Sequence, residues 1–148
     1  MTLSKKAINL LLKVKAHILA VPKRYNQQVW CVVAKNKEQV KDAIDNGVIA
    51  KRSDLPECGT VGCIAGWICY LTPGGRKLAK KDGYIEAANA ILGVGDADTY
   101  YLFGSEGLLP DEMAAAKTLR QRAKVGAKCI DLFIQGVITP LHDPDNEL

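Results

Sequence analysis

A chain of 148 residues, 48% hydrophobic and 24% charged, has the proportions of one globular domain whose core needs no disulfide or metal staple. The composition excludes collagenous, repetitive and low-complexity classes. The longest uncharged run, Cys58 to Gly75, is broken by glycines, and its apolar part is too short to span a bilayer. The net charge of +4 is unevenly spread: residues 1–53 carry eleven Lys/Arg against three Asp/Glu, and residues 54–116 carry four against nine. Residues 117–131 are basic again, and the last residues are acidic. A basic first third and a basic late segment favour anionic partners. Specific nucleic-acid binding is not expected, because no interleaved aromatics or known module accompany the charge.

Along the chain, Ser4 to Ala20 predicts a helix. Ser4 caps it, Ile8, Leu11, Leu12, Ile18 and Leu19 recur near the helical period, and Pro22 stops it. Val29 to Ala34 is a short apolar, β-branched run that fits a buried strand or a piece of helix. Asn36 and Gln39 resemble a capping box, opening a helix to about Asn46 with Gly47 in its left-handed terminal position. Val48 to Ala50 reads as a short strand that would pair with 29–34. Thr60 is placed as N-cap of a helix over Val61–Leu71, closed by Thr72-Pro73-Gly74-Gly75. Helices are expected at Tyr84–Leu92, with Gly93 behind it, and at Ala97–Phe103. Pro110 opens a long helix whose inner face is Met113, Ala116, Leu119, Ala123, Ala127, Ile130 and Ile134, ended by Gly136. Residues 141–148 read as an acidic mobile tail after a 1–140 domain. The expected fold is thus mostly α, a single compact helical domain, with room for a small two-stranded β element.

The segment Glu57 to Cys69 holds three of the five cysteines. As a helix from Val61 it has no polar face, so it should be central and buried. Gly62 and Gly66 then cost about 1 kcal/mol each relative to alanine, offset either by a closely packed neighbour or by a ligand against bare backbone. The free amides after Gly59 and Thr60 would form an anion cradle. This cradle lacks the lysine and spacing of a P-loop, and Lys51 and Arg52 lie just upstream to supply charge. Cys63, early in that helix, is a candidate nucleophile with a lowered pKa. Its base would be His17 or His142. The alternative is an inert buried cysteine. Cys58 and Cys63 lack the partners of a structural metal site, so no metal and no cofactor are expected. A reversible Cys58–Cys63 disulfide has no redox motif behind it. With an odd cysteine count and no secretory signal in the first residues, a reducing cytoplasm is expected.

Cys58-Gly59-Thr60-Val61-Gly62-Cys63-Ile64-Ala65-Gly66-Trp67 resembles the Cys-Gly-Thr-x-x-Cys-Ile-Ala-Gly-Trp signature of small, largely uncharacterised proteins of phage and bacterial genomes. Pro22, Tyr25-Asn26, Trp30, Ile91-Leu92-Gly93 and Leu102-Phe103 are similar too, so the resemblance spans roughly residues 5 to 103. The Val29–Ile49 stretch has no place in the pattern, and the last third lies beyond it. The resemblance implies a phage or mobile-element setting in a host cytoplasm and brings no activity with it.

Three functions follow as expectations. The first is an accessory protein that sequesters an anionic, nucleotide-like molecule such as a host defence signal. Gly59, Thr60, Gly62 and Cys63 would cradle it, Trp67 or Tyr70 would wall it, and Lys51, Arg52 or the late basic residues Arg120, Arg122 and Lys124 would balance its charge. The second is a cysteine enzyme using Cys63. The third is an inhibitor docking on a host protein through the basic first third.

Overall fold

The computed structural model describes residues 1–142. Helix α1 (Lys5–Ala20) starts as the sequence predicts: the Ser4 hydroxyl accepts from Ala7 N–H at 3.1 Å. Its buried stripe is Ala7, Leu11, Val14 and Ile18. Leu12 and Leu19, expected inside, are exposed, because the period runs through Val14 and carries them to the outer flank. Pro22 then opens a 3-10 turn, Pro22–Arg24. Strand β1 (Cys31–Val33) resolves the ambiguous apolar run as extended. Asn36 caps α2 (Lys37–Asp45) by accepting from Gln39 N–H. The Gln39 side chain accepts from Lys35 N–H rather than Asn36 N–H, one residue upstream of the expected box.

The sheet corrects the expected pairing. Strand β1 runs antiparallel to β2 (Thr60–Gly62), with Cys31 opposite Gly62 and Val33 opposite Thr60. Val48 and Ile49 take no strand. Their N–H groups donate to Ala43 O at the end of α2, across Gly47 with φ +74°. The predicted helix from Val61 is corrected in the same place. Residues 60–62 are extended, Cys63 is the N-cap, and α3 covers Ile64–Leu71. Antiparallel pairing to β1 wins over helix because Val61, β-branched and buried, packs with Val32, Ala34 and Val40 in a small satellite core.

Gly75 does not merely end a turn. It begins α4 (Gly75–Asp82), which leads into α5 (Tyr84–Leu92) and Gly93 at φ +72°. The expected Ala97–Phe103 helix shrinks to α6 (Asp96–Thr99). The long helix after Pro110 is two. The first is α7 (Pro110–Ala115), and the second is α8 (Leu119–Ile134), started by a Thr118/Gln121 capping box that the reading of one continuous helix overlooked. The fold is mostly helical with one small two-stranded antiparallel sheet.

Helix α3 sits at the centre, against α1, α4, α5 and both strands, while α8 lies along α1. Trp67, Ile64, Ile68, Leu11, Ile18 and Phe133 are fully buried there, each contributing about 1.5–3 kcal/mol of burial. Lys15 Nζ bridges both Asp131 oxygens at 2.8 Å and ties α1 to α8. Gln27, buried, donates to Leu102 O and Gly104 O and accepts from the Tyr25 hydroxyl. It thereby pins the 25–28 loop to the loop before α7. Leu141, expected to begin a mobile tail, donates its N–H to Leu108 O, and His142 lies 3.7 Å from Asp111. The rest of that expected tail, 143–148, lies outside the described residues. Among the described residues no helix is long and apolar enough to cross a membrane.

Candidate functional site

The glycines of the signature are explained by one neighbouring strand. A Cβ built on Gly66 would stand 1.5 Å from the Trp30 carbonyl oxygen, and one on Gly62 would stand 2.8 Å from it. Backbone therefore crosses backbone here, and only hydrogen fits at Gly66. Gly59 has φ +70°, and a Cβ there would meet Ala34 O at 3.0 Å. The segment proposed as an anion cradle is instead paired inside the protein. Val61 and its neighbours pair with β1, Cys63 N–H donates to Val29 O, and Gly66 N–H donates to Cys63 Sγ. Thr60 is fully buried, and its Oγ1 has no hydrogen-bond partner among the described residues.

Trp67 is a core anchor. Its Nε1 donates to Arg24 O at 2.8 Å, and its ring meets His17 and Tyr70 edge-on, at 4.2 and 5.1 Å. Arg76 in turn lies 5.2 Å over the Tyr70 ring. Tyr70 is half-buried, so neither aromatic offers a free wall beside Thr60.

Cys63 is fully buried, with Sγ between Gly66 N–H at 3.4 Å and Trp30 O at 3.7 Å. Burial pushes its thiol up to about 11, against the lowering that the Gly66 and Ala65 amides supply. The helix-terminal position expected to activate it is therefore overruled by desolvation. Neither histidine serves as its base. His17 Nδ1 faces Arg24 Nη1 at 3.2 Å, and its Nε2 is buried without a partner beside Trp67. Desolvation first, then Arg24 and Lys13, lower His17 to about 4, so it is neutral near pH 7. His142 is exposed and lies 3.7 Å from Asp111, whereas Cys63 is fully buried. No group of three or more metal-ligating side chains occurs among the described residues.

The basic residues resolve into four places. Lys51 is exposed, and its N–H donates to Asp54 Oδ2 in the short turn Arg52–Asp54. Arg52 joins Gly59, Cys58, Lys35 and Lys37 around a shallow hollow of about 590 Å³. Arg120 and Lys124 are exposed on α8 away from any cleft lining described.

Arg122 is different. It lines a deeper cleft, also about 590 Å³, enclosed by the Lys23–Gln28 loop, the Gly47–Ala50 loop and the Met113–Arg122 segment. Among the described residues, Lys23, Lys117 and Arg122 line the cleft together with one carboxylate, Asp54. None of the three cations makes an ion pair among the described residues. Lys23 Nζ is held by Ser53 O at 2.6 Å, which fixes one wall. Asn26 and Gln28 add amide groups, while Val48, Ile49, Met113 and Leu119 supply apolar surface. The amino end of α8 opens onto the same wall at Lys117–Leu119, where the helix dipole adds positive potential. A volume of this size accommodates a small organic anion.

Sequence reasoning found Arg122 as a charge donor but missed Lys23 and Lys117 as its companions. The readable signal was the break at Ala116–Thr118: Thr118-x-x-Gln121 starts a new helix and throws Lys117 into the preceding loop. Compared with protein-family models, curated proteins and solved structures, the chain matches none.

Proposed function

We propose that this protein is a stoichiometric binding module that sequesters an anionic, nucleotide-like small molecule in the Lys23–Lys117–Arg122 cleft. The observation that carries this reading is three cations around one cleft that make no ion pair among the described residues. Lys23, Lys117 and Arg122 are exposed, and positive charge gathered in one cleft is what a phosphate-bearing ligand offsets. The apolar patch from Val48, Ile49 and Met113 gives the rest of such a ligand a surface to cover.

No catalytic group is required. The buried, protonated Cys63 thiol argues against a nucleophile, so binding rather than turnover is the reading. The resemblance to small phage and bacterial proteins fits an accessory setting and brings no activity with it, and a binder of a nucleotide-derived host signal acts by mass action alone. The Gly59–Thr60–Gly62 segment keeps a part in this account as the rigid floor beneath the cleft, through Val61, which lines it.

The test is calorimetric titration with inorganic phosphate, nucleoside diphosphates, dinucleotide cofactors and cyclic nucleotides. One nucleotide class should bind, and the paired variant Lys117→Ala with Arg122→Ala should weaken it about a hundredfold, about tenfold per lost charge-assisted contact. Product chromatography should return the ligand unchanged. Binding to no member of the panel, or affinity indifferent to Lys117 and Arg122, rejects the cleft.

A further inference from the structure

We propose that a second groove, between Trp30 and the Tyr100–Tyr101 pair, is a docking site for a basic, Lys/Arg-bearing peptide segment of a partner protein. This groove, about 1010 Å³, is walled by Trp30, Ile85, Tyr100 and Tyr101. These are four of the chain's large exposed hydrophobic residues, Tyr100 being 72% and Trp30 45% exposed. Gathered on one face they form a patch, whereas scattered exposed apolar residues would carry no meaning.

The charge at this groove is the reverse of the molecule's. Among the described residues, Glu86, Asp96 and Glu106 line it together with His142 and no lysine or arginine, although the chain as a whole is +4. Aromatic faces beside carboxylates select a guanidinium or ammonium group, through the ring quadrupole and the ion pair together. An anion is repelled, and a wholly apolar segment would leave the carboxylates desolvated and unpaired. The groove's volume exceeds one cation and its alkyl stem, so it calls for several consecutive residues of a peptide.

The walls are also held in place before any partner arrives. Trp30 stacks on Tyr84 with ring planes 9° apart and centroids 6.4 Å apart. Tyr100 and Tyr101 meet edge-on at 5.1 Å. Beneath them, Thr99 donates to Asn89 Oδ1, and Asn89 Nδ2 donates to Asp96 Oδ1 at 2.6 Å. Gln27 fastens Leu102 and Gly104 from the other side. Rigid aromatic anchors of this kind lower the ordering cost of binding.

Trp30 itself reports the event, because the other tryptophan, Trp67, is buried. A capped octapeptide alternating arginine and alanine should quench or shift Trp30 emission saturably, and the glutamate–alanine counterpart should not. Tyr100→Ala leaves every charge in place and removes only an exposed ring, yet should weaken binding about fivefold. Glu86→Gln with Glu106→Gln should weaken it about tenfold, and the melting temperature of each variant should stay near wild type. Lys117→Ala should leave peptide affinity unchanged, which separates this groove from the basic cleft. Absence of saturable binding overturns the proposal. So does equal affinity of wild type and Tyr100→Ala, which would mark a nonspecific polyelectrolyte contact. Concentration-dependent dimerisation abolished by Tyr100→Ala would give the groove to a second copy of the chain and overturn the partner-peptide reading.

Discussion

The signature segment around Gly59–Trp67 and the cleft at Lys23, Lys117 and Arg122 make opposite use of sequence. In the first, the nine consecutive residues Gly59–Trp67, of unusual composition, are buried together, and their glycines let α3 and β2 press against the Trp30 carbonyl. In the second, three ordinary basic residues from distant parts of the chain meet around solvent. Density of rare residues in one stretch here marks close packing. Uncompensated charge gathered by the fold is the feature on which the proposed binding site rests.

The sharpest way to break this comparison is to add one methyl group to the signature. Gly66→Ala places a Cβ 1.5 Å from backbone oxygen, with no flexible side chain to give way. It should destabilise by about 3 kcal/mol or more, or prevent folding, as read by denaturant unfolding. A fully stable Gly66→Ala protein would mean that the crossing at Trp30 is looser than described. The cleft should behave in the reverse manner. Lys117→Ala and Arg122→Ala each remove about 1.4 kcal/mol of ligand binding, one tenfold step, while stability stays within about 0.5 kcal/mol. Loss of stability in place of affinity would turn these cations into structural residues.

Acid gives an intermediate effect. His17 is lowered to about 4 in the fold, below its ordinary 6.5, so the unfolded chain binds the extra proton between these values. Stability should therefore be full above about pH 6.5 and fall as pH drops toward 4. His17→Gln should flatten that part of the profile, measured by urea midpoints at successive pH values. A profile unchanged by the substitution would remove His17 as the source. The smallest effect belongs to Thr60. Its Oγ1 is buried without a partner among the described residues, so Thr60→Val should be neutral or raise stability by up to about 1 kcal/mol, with ligand affinity unaltered. Lost affinity in Thr60→Val would return the binding site to the signature.

Much of the architecture was legible because local chemistry and tertiary demand agreed. Ser4, Asn36, Gly47, Gly93 and Gly136 mark ends that the structure keeps. The readings failed where a partner distant in sequence decided. Thr60 has the chemistry of a cap, but β1, some thirty residues earlier, claims residues 60–62 as a strand, and the capping role moves to Cys63. The pairing of 29–34 with 48–50 failed for the same reason, since no local pattern distinguishes two short apolar partners. The break before α8 was readable in Thr118-x-x-Gln121 and was masked by continuing apolar periodicity on either side. The cleft was the least legible element. Arg122 stood out only as one of several late basic residues; the Thr118-x-x-Gln121 break places Lys117 in a loop, and no local pattern brings Lys23 to it.

The most direct measurement is one calorimetric titration series, run with the nucleotide panel on wild type, Arg122→Glu and Thr60→Val. The account predicts binding of one nucleotide class to wild type, the same affinity in Thr60→Val, and loss of at least tenfold in Arg122→Glu. Binding that survives Arg122→Glu and disappears in Thr60→Val would contradict it, as would the absence of binding across the panel.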